Sequence, residues 1–350
     1  MSSIIPADVE PPPSPEAPVR RRQRGKGESL GRYSVRRILT GLGTTVFVVV
    51  VNFFLFHMLP GDPLTNYTRG RNVDQNQIRE LRKAYTGPLW VQFKHYIRNP
   101  FSSHIDSAQF SQPVWKVIGD HVWPTLLLVG TATVLSTIFG LLIGIKAGWR
   151  RGSRFDKWST GSTLVLYAMP EFWLGMMLLI LFSTGLGPLP GLFPSGGVHN
   201  PELSQSSPAG VLSILFHLAL PCATLTLIYL AEYSLVMRAS VLEEKSQDYL
   251  QTARAKGLRD KLVRRRHAVP NALLPSITLI FLNLGFIISG AVTIETVFSW
   301  PGLGELTYEA IRGPDVPLLQ ALFLLFSVAV IASNVAADIV VASVDPRTRS

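Results

Sequence analysis

The sequence predicts an all-α polytopic membrane protein with six transmembrane helices and both termini in the cytoplasm. Three observations carry that expectation. Of 350 residues, 47% are apolar and only 16% charged, against about 25% charged in an ordinary soluble domain. The apolar residues gather into six stretches without Lys or Arg, spanning 38–59, 125–145, 164–186, 212–231, 273–294 and 318–337. Each is about as long as the 20 helical residues needed to cross a hydrocarbon core of about 30 Å. The 33 basic residues alternate between the connecting segments: eight precede residue 38, five lie within 146–157 and nine within 238–267, but none within 187–211 and only Arg312 within 295–317. That positive-inside bias sets the orientation.

The elements follow in order. Residues 1–34 form a Pro-rich tail that ends in Arg20, Arg21, Arg22, Arg24 and Lys26. Its apolar content is too low to offset the entropy of ordering it, so a disordered cytoplasmic tail is expected. The first span is too long for a signal peptide and should be retained. Residues 60–122 carry eight basic residues yet fall on the outer side. A segment of that length escapes the short-loop rule and is expected to form an external subdomain. The second span has Ala132, Ser136, Gly140, Gly144 and Gly148 at intervals of four, a stripe that lets a neighbouring helix approach closely. Pro170 and Pro221 are expected to kink the third and fourth spans.

Glu171 is the only carboxylate inside the six windows, about 12 Å into the third at the helical rise. It either lines a polar path or accepts a hydrogen bond from a neighbouring helix. Glu232, Glu295 and Asp338 fall just outside the windows, where solvation at the interface would account for them.

The net charge of +10 suits anionic lipid headgroups better than nucleic acid, because the basic clusters flank membrane spans. The chain has no H-E-x-x-H, G-x-S-x-G or P-loop pattern. Its seven histidines include no i, i+4 pair, and Cys222 is the sole cysteine. No metal site, no bound cofactor and no catalytic residue is expected in this chain.

The connection 238–271 reads Asp248-Tyr249-Leu250-Gln251-Thr252-Ala253-Arg254-Ala255-Lys256-Gly257-Leu258, followed by Arg264-Arg265-Arg266-His267-Ala268-Val269-Pro270-Asn271-Ala272-Leu273-Leu274-Pro275. From Glu243 to Lys256 there is neither Gly nor Pro, and Gly257 stands at a C-cap position, which predicts a short helix. Such a helix can meet another protein or lie on lipid.

This loop resembles the E-A-A-type signature of the permease subunits of binding-protein-dependent ABC importers, in the dipeptide, oligopeptide and nickel branch. The resemblance extends to Leu59-Pro60-Gly61-Asp62-Pro63, to Pro170 with Phe172 and Trp173, to the run from Glu295 to Gly304, and to Asp345-Pro346-Arg347. It covers residues 35–349, and the long first external loop is similar to that of the first of two related permeases. Asn99 to Gln109 departs from the branch's usual G-D-x-G-x-S.

The resemblance implies a type I ABC importer permease fold that forms half of a translocation path for di- or oligopeptides. A second permease would complete the path, two ATPase subunits or domains would supply ATP and Mg, and an external solute-binding protein would deliver the cargo. Asp248, Tyr249, Thr252, Ala253, Arg254, Ala255, Lys256, Gly257 and Leu258 would couple to the ATPase. Small Ala253 and Ala255 would allow close approach, and Gly257 would turn the chain away. Candidates for the path are Glu171, Phe172, Asn283 and Glu295. The competing class is a self-sufficient channel or secondary carrier, which needs several ionisable groups in mid-membrane; a membrane-embedded hydrolase would need the motifs that are missing.

Overall fold

The structure is a computed structural model that describes residues 29–58, 79, 82, 87–98, 106–185, 191–289 and 291–344. The tail to residue 28, the Leu59–Pro63 motif and Asp345–Arg347 lie outside the described residues, as does most of the first half of the external segment. Helices account for nearly all the regular structure. The described residues contain no β-strand, only an isolated bridge between Asp106 and Pro113.

The helices are α1 (Leu30–His57), α2 (Leu89–Arg98), α3 (Val114–Trp149), α4 (Arg154–Ala168) and α5 (Glu171–Leu179), the last extended by a π-turn at Ile180–Thr184. They continue as α6 (Pro208–Lys245), α7 (Asp248–Ala255), α8 (Asp260–Val263), a π-turn at Arg264–Ala268, α9 (Val269–Ser289), α10 (Val292–Val297), α11 (Leu303–Arg312) and α12 (Val316–Val344). Five helical segments among the described residues are long and apolar enough to span a bilayer, and a sixth results if α4 and the Glu171–Thr184 arm count as one span.

That third span corrects the expectation of one helix over 164–186. The two arms meet at 99°. Met169 and Pro170 both adopt extended backbone, with ψ of 135° and 131°. Proline lacks an N–H and pushes the residue before it out of helical geometry, so the chain breaks there rather than bending gently. Glu171 therefore opens the second arm, and the helical-rise depth of 12 Å does not hold across the corner. The fifth window is also corrected. The helix runs from Asp260 through the basic residues and stops at Ser289, short of residue 294. The short helix expected from Glu243 is divided, because α6 runs on to Lys245 and α7 begins only at Asp248.

The most extensive helix pairing is that of α3 with α6. Ala132, Ser136, Gly140, Gly144 and Gly148 are all buried on α3. A β-carbon at Gly144 would lie 2.6 Å from the Ser234 carbonyl oxygen, and one at Gly148 would lie 2.9 Å from that of Arg238. Only hydrogen at these positions admits the α6 backbone. At the basic end of this pair, Asp156 in the first turn of α4 takes a bidentate ion pair from Arg238, at 2.6 and 3.2 Å. Its oxygens also accept from the Gly152 N–H at 2.9 Å and the Thr160 hydroxyl at 3.2 Å. The helix α1 leaves most of its surface uncovered and packs on α12, where Arg37 meets Asp338 at 3.4 Å.

Candidate functional site

Two regions carry the sequence-predicted residues. The first is the segment after α6. Helix α7 ends in a Schellman turn: the Gly257 N–H donates to the Arg254 carbonyl at 2.9 Å and the Leu258 N–H to that of Ala253 at 3.4 Å. Gly257 has φ of +81° with open space around it, the left-handed position where a side chain with a β-carbon is strained. Leu250 and Ala253, three residues apart, put one face of α7 inward. They join a cluster with Trp149 of α3, Met237 and Val241 of α6, and Val263. Trp149 ties the parts together: its indole N–H donates to Asp260 at 2.7 Å, and its carbonyl accepts from Lys245 at 2.8 Å.

Asp248, Tyr249, Thr252, Arg254, Ala255 and Lys256 form the exposed face. Ala253 corrects the expectation that it serves close approach of a partner, since it is only 7% exposed and packs against the body of the protein. Tyr249 anchors the start of α7. Its hydroxyl donates to the Glu244 carboxylate and accepts from the Asn271 amide at 2.8 Å. Partial burial and the Glu244 charge both raise the Tyr249 pKa. Arg254 reaches Asp260 at 3.8 Å.

The second region is where α5, α6 and α9 meet. Glu171 is half-buried in the first turn of α5, and Phe172 beside it is exposed. Glu171 lies within electrostatic range of Tyr229 on α6. One helical turn on, Glu232 receives the Asn283 amide at 3.4 Å, and the same amide donates to the Tyr233 hydroxyl at 3.0 Å. Glu171 and Asn283 thus face successive turns of the same helix. Glu232 is drawn into this group rather than left at a solvated interface.

Glu295 does not belong there. It is fully buried, with 0% exposure, and both carboxylate oxygens are engaged. One accepts from the Thr125 hydroxyl at 2.9 Å, the other from the N–H groups of Gly304 and Glu305 at 2.7 and 3.1 Å. It caps the first turn of α11 and offers no surface to a path, which corrects both its candidacy and its expected solvation. Trp300, from the same run, donates its indole N–H to the Pro124 carbonyl at 2.9 Å and so seats the motif on α3. Desolvation raises the Glu295 pKa against these hydrogen bonds.

A counterpart goes unremarked in the sequence. Asp315 is fully buried at the start of α12 and accepts from the Ser107 hydroxyl at 2.5 Å, the Gln109 N–H at 3.1 Å and the Leu318 N–H at 3.2 Å. Ser107 and Gln109 lie in the segment that departs from the branch pattern, and they fasten it to the last span. Asp315 before Val316-Pro317 and Ser153 three residues before Asp156 are local helix-start patterns, but the pairing of Asp315 with Ser107 and of Asp156 with Arg238 has no local signal. Among the described residues, no three His, Cys, Asp or Glu side chains come together where a metal could be held.

Residues 136–350 match the family described as binding-protein-dependent transport system inner membrane component, and residues 30–127 match the N-terminal membrane component of such systems. The chain belongs to this permease family. The glutathione transport system permease protein GsiC of Escherichia coli O6:H1 is 36% identical over 322 residues, covering 91% of this chain and 98% of its own length. The dipeptide transport system permease protein DppB of Escherichia coli K12 is 33% identical over 337 residues, with the same two coverages. The chain is therefore a multi-pass permease component of an ABC importer, in the dipeptide and oligopeptide branch. In this chain, the segment carrying α7 turns a polar face away from the bundle and fixes a buried face to α3, α6 and the start of the fifth span.

Proposed function

We propose that this permease forms half of a translocation path for di- or oligopeptides in the cytoplasmic membrane, with both termini in the cytoplasm. A second, related permease completes the path. Two ATPase subunits or domains bind ATP and Mg and dock on the exposed face of α7, while an external solute-binding protein delivers the peptide. The chain itself performs no catalysis. The peptide assignment rests on the names of the similar permeases, and the orientation on the excess of Lys and Arg in alternate connections.

One observation carries the coupling role: α7 is bolted to the bundle through Leu250, Ala253 and the Trp149 cluster, while its other face is exposed. A helix held in that way transmits displacement to α3, α6 and the fifth span instead of swinging independently. Closure of an ATPase pair would draw two such helices together and shift a two-state bundle from inward-open to outward-open. Glu171, Phe172 and Asn283 are the path residues in this reading; two of them meet α6 at the turn that carries Tyr229 and Glu232.

The test is Gly257→Val in the reconstituted complex. A β-branched residue at φ of +81° costs about 1–2 kcal/mol and disrupts the Schellman turn that seats Leu258. Peptide uptake should fall while ATP hydrolysis and membrane insertion persist. Uptake at the wild-type rate would remove the coupling role.

A further inference from the structure

Helix α3 and the residue that follows it carry a second stripe at intervals of four, on the side opposite the small residues: Val134, Ile138, Leu142 and Lys146 on the helix, then Arg150 just past its end. The first three are 58%, 49% and 61% exposed, an apolar lane that rises about 12 Å along the helix. The last two enter a groove of about 500 Å³ between α3 and the start of the fifth span, where Lys261, Arg264 and Arg265 join them. Leu142, Ile145 and Val269 form its apolar floor.

Five cations thus converge at the basic end of the bundle, and among the described residues none has a carboxylate partner. Asp260, next to Lys261 in the chain, is turned to the Trp149 indole and to Arg254. Lys146 rests over the Phe155 ring at 4.0 Å, a cation–π contact that brings no formal negative charge into the groove. A cationic head chamber continuous with an exposed apolar lane has the shape and polarity of one amphiphile.

We infer that this groove binds an anionic phospholipid, with the phosphate held among Lys146, Arg150, Lys261, Arg264 and Arg265 and an acyl chain lying along Val134, Ile138 and Leu142. Basic pockets between spans at a membrane face hold anionic headgroups by this combination of charge and hydrocarbon contact. Because Arg264 and Arg265 sit in the π-turn that joins α8 to α9, the lipid would brace the far end of the segment that carries α7. The inference rests on the membrane assignment alone and not on ATPase docking.

The experiment is native mass spectrometry of the full chain released from nanodiscs that contain phosphatidylglycerol or phosphatidylcholine. The wild type should retain one phosphatidylglycerol and no phosphatidylcholine, and 10 mM inorganic phosphate should not displace the lipid. In the double variant Lys261→Gln, Arg265→Gln, loss of two cations should weaken retention about thirtyfold. The charge-conserving pair Lys261→Arg, Arg265→Lys should restore it. Arg154→Gln, Lys157→Gln removes the same charge from exposed positions outside the groove and should stay within twofold of the wild type. Equal retention of both lipids, retention unaffected by the groove variant, or equal loss in the control would overturn the assignment. So would displacement by phosphate, or cross-linking of residue 265 to an ATPase in the assembled transporter. Each readout is independent of uptake coupling, so failure here leaves the role of α7 untouched, and the reverse holds as well.

Discussion

Replacing Glu295 separates a cap from a path residue. Glu295→Leu is close to isosteric and removes the acceptor for three donors: the Thr125 hydroxyl and the Gly304 and Glu305 N–H groups. All lie in or beside a region where Glu295, Thr125 and Leu303 are fully buried, so water does not replace the lost partner. An orphaned buried donor costs about 1–3 kcal/mol. The hydroxyl can rotate towards another acceptor, so the two N–H groups dominate, and the loss should come to about 3–4 kcal/mol. Glu295→Gln should cost only about 1 kcal/mol, because its carbonyl still accepts from both N–H groups and its amide faces Thr125. Unfolding of the purified permease in graded denaturing detergent measures both. A Leu variant as stable as the wild type, or a Gln variant as damaging as Leu, would refute the cap.

Three further predictions concern other parts of the fold. Gly144→Ala should destabilise by about 1–3 kcal/mol through overpacking against Ser234 and Met237, despite the better helix propensity of Ala. Gly130→Ala in the same helix, where a β-carbon meets nothing within 4 Å, should be neutral or stabilising; thermal unfolding of the two variants compares them directly. Asp156→Asn should cost about 2 kcal/mol, less than the 3–5 of a wholly buried pair because Arg238 is partly exposed, and proteolysis at the 150–157 turn should quicken. Glu305 is held up to about 7 by burial and by the Glu309 and Glu295 charges. Its folded pKa lies above the unfolded value, so its contribution is fully present below about pH 4.5 and is lost as pH rises through about 7. Discounted for a half-exposed side chain, the loss is about 1 kcal/mol, and Glu305→Gln should flatten the stability profile across that window.

Much of the architecture is legible in the sequence because local period and composition encode it. The α3 stripe reads directly as a close helix contact, and the structure adds only which carbonyls it meets. Pro170 announces an interruption, but a 99° corner depends on how both arms pack, which the local sequence does not specify. The tertiary partner of a carboxylate is not legible where it is distant in the chain. Glu295 is 170 residues from Thr125, Asp315 is 208 from Ser107, and Arg238 is 82 from Asp156. Each looks like an ordinary charge beside a span until the fold supplies its donors. Ala253 is different, since its inward orientation follows from Leu250 three residues earlier, a helical-face argument that the sequence already contained.

In the proposed function, the exposed face of α7 grips an ATPase inside the cell. Ala255→Cys tests it most directly, because Ala255 is exposed and the only native thiol, Cys222, is buried. In intact cells, a short bifunctional reagent that crosses the membrane should join residue 255 to a nucleotide-binding protein, and an impermeant maleimide should fail to label it. Labelling from outside, or the absence of any such adduct while the assembled transporter remains active, would rule out ATPase docking on this face.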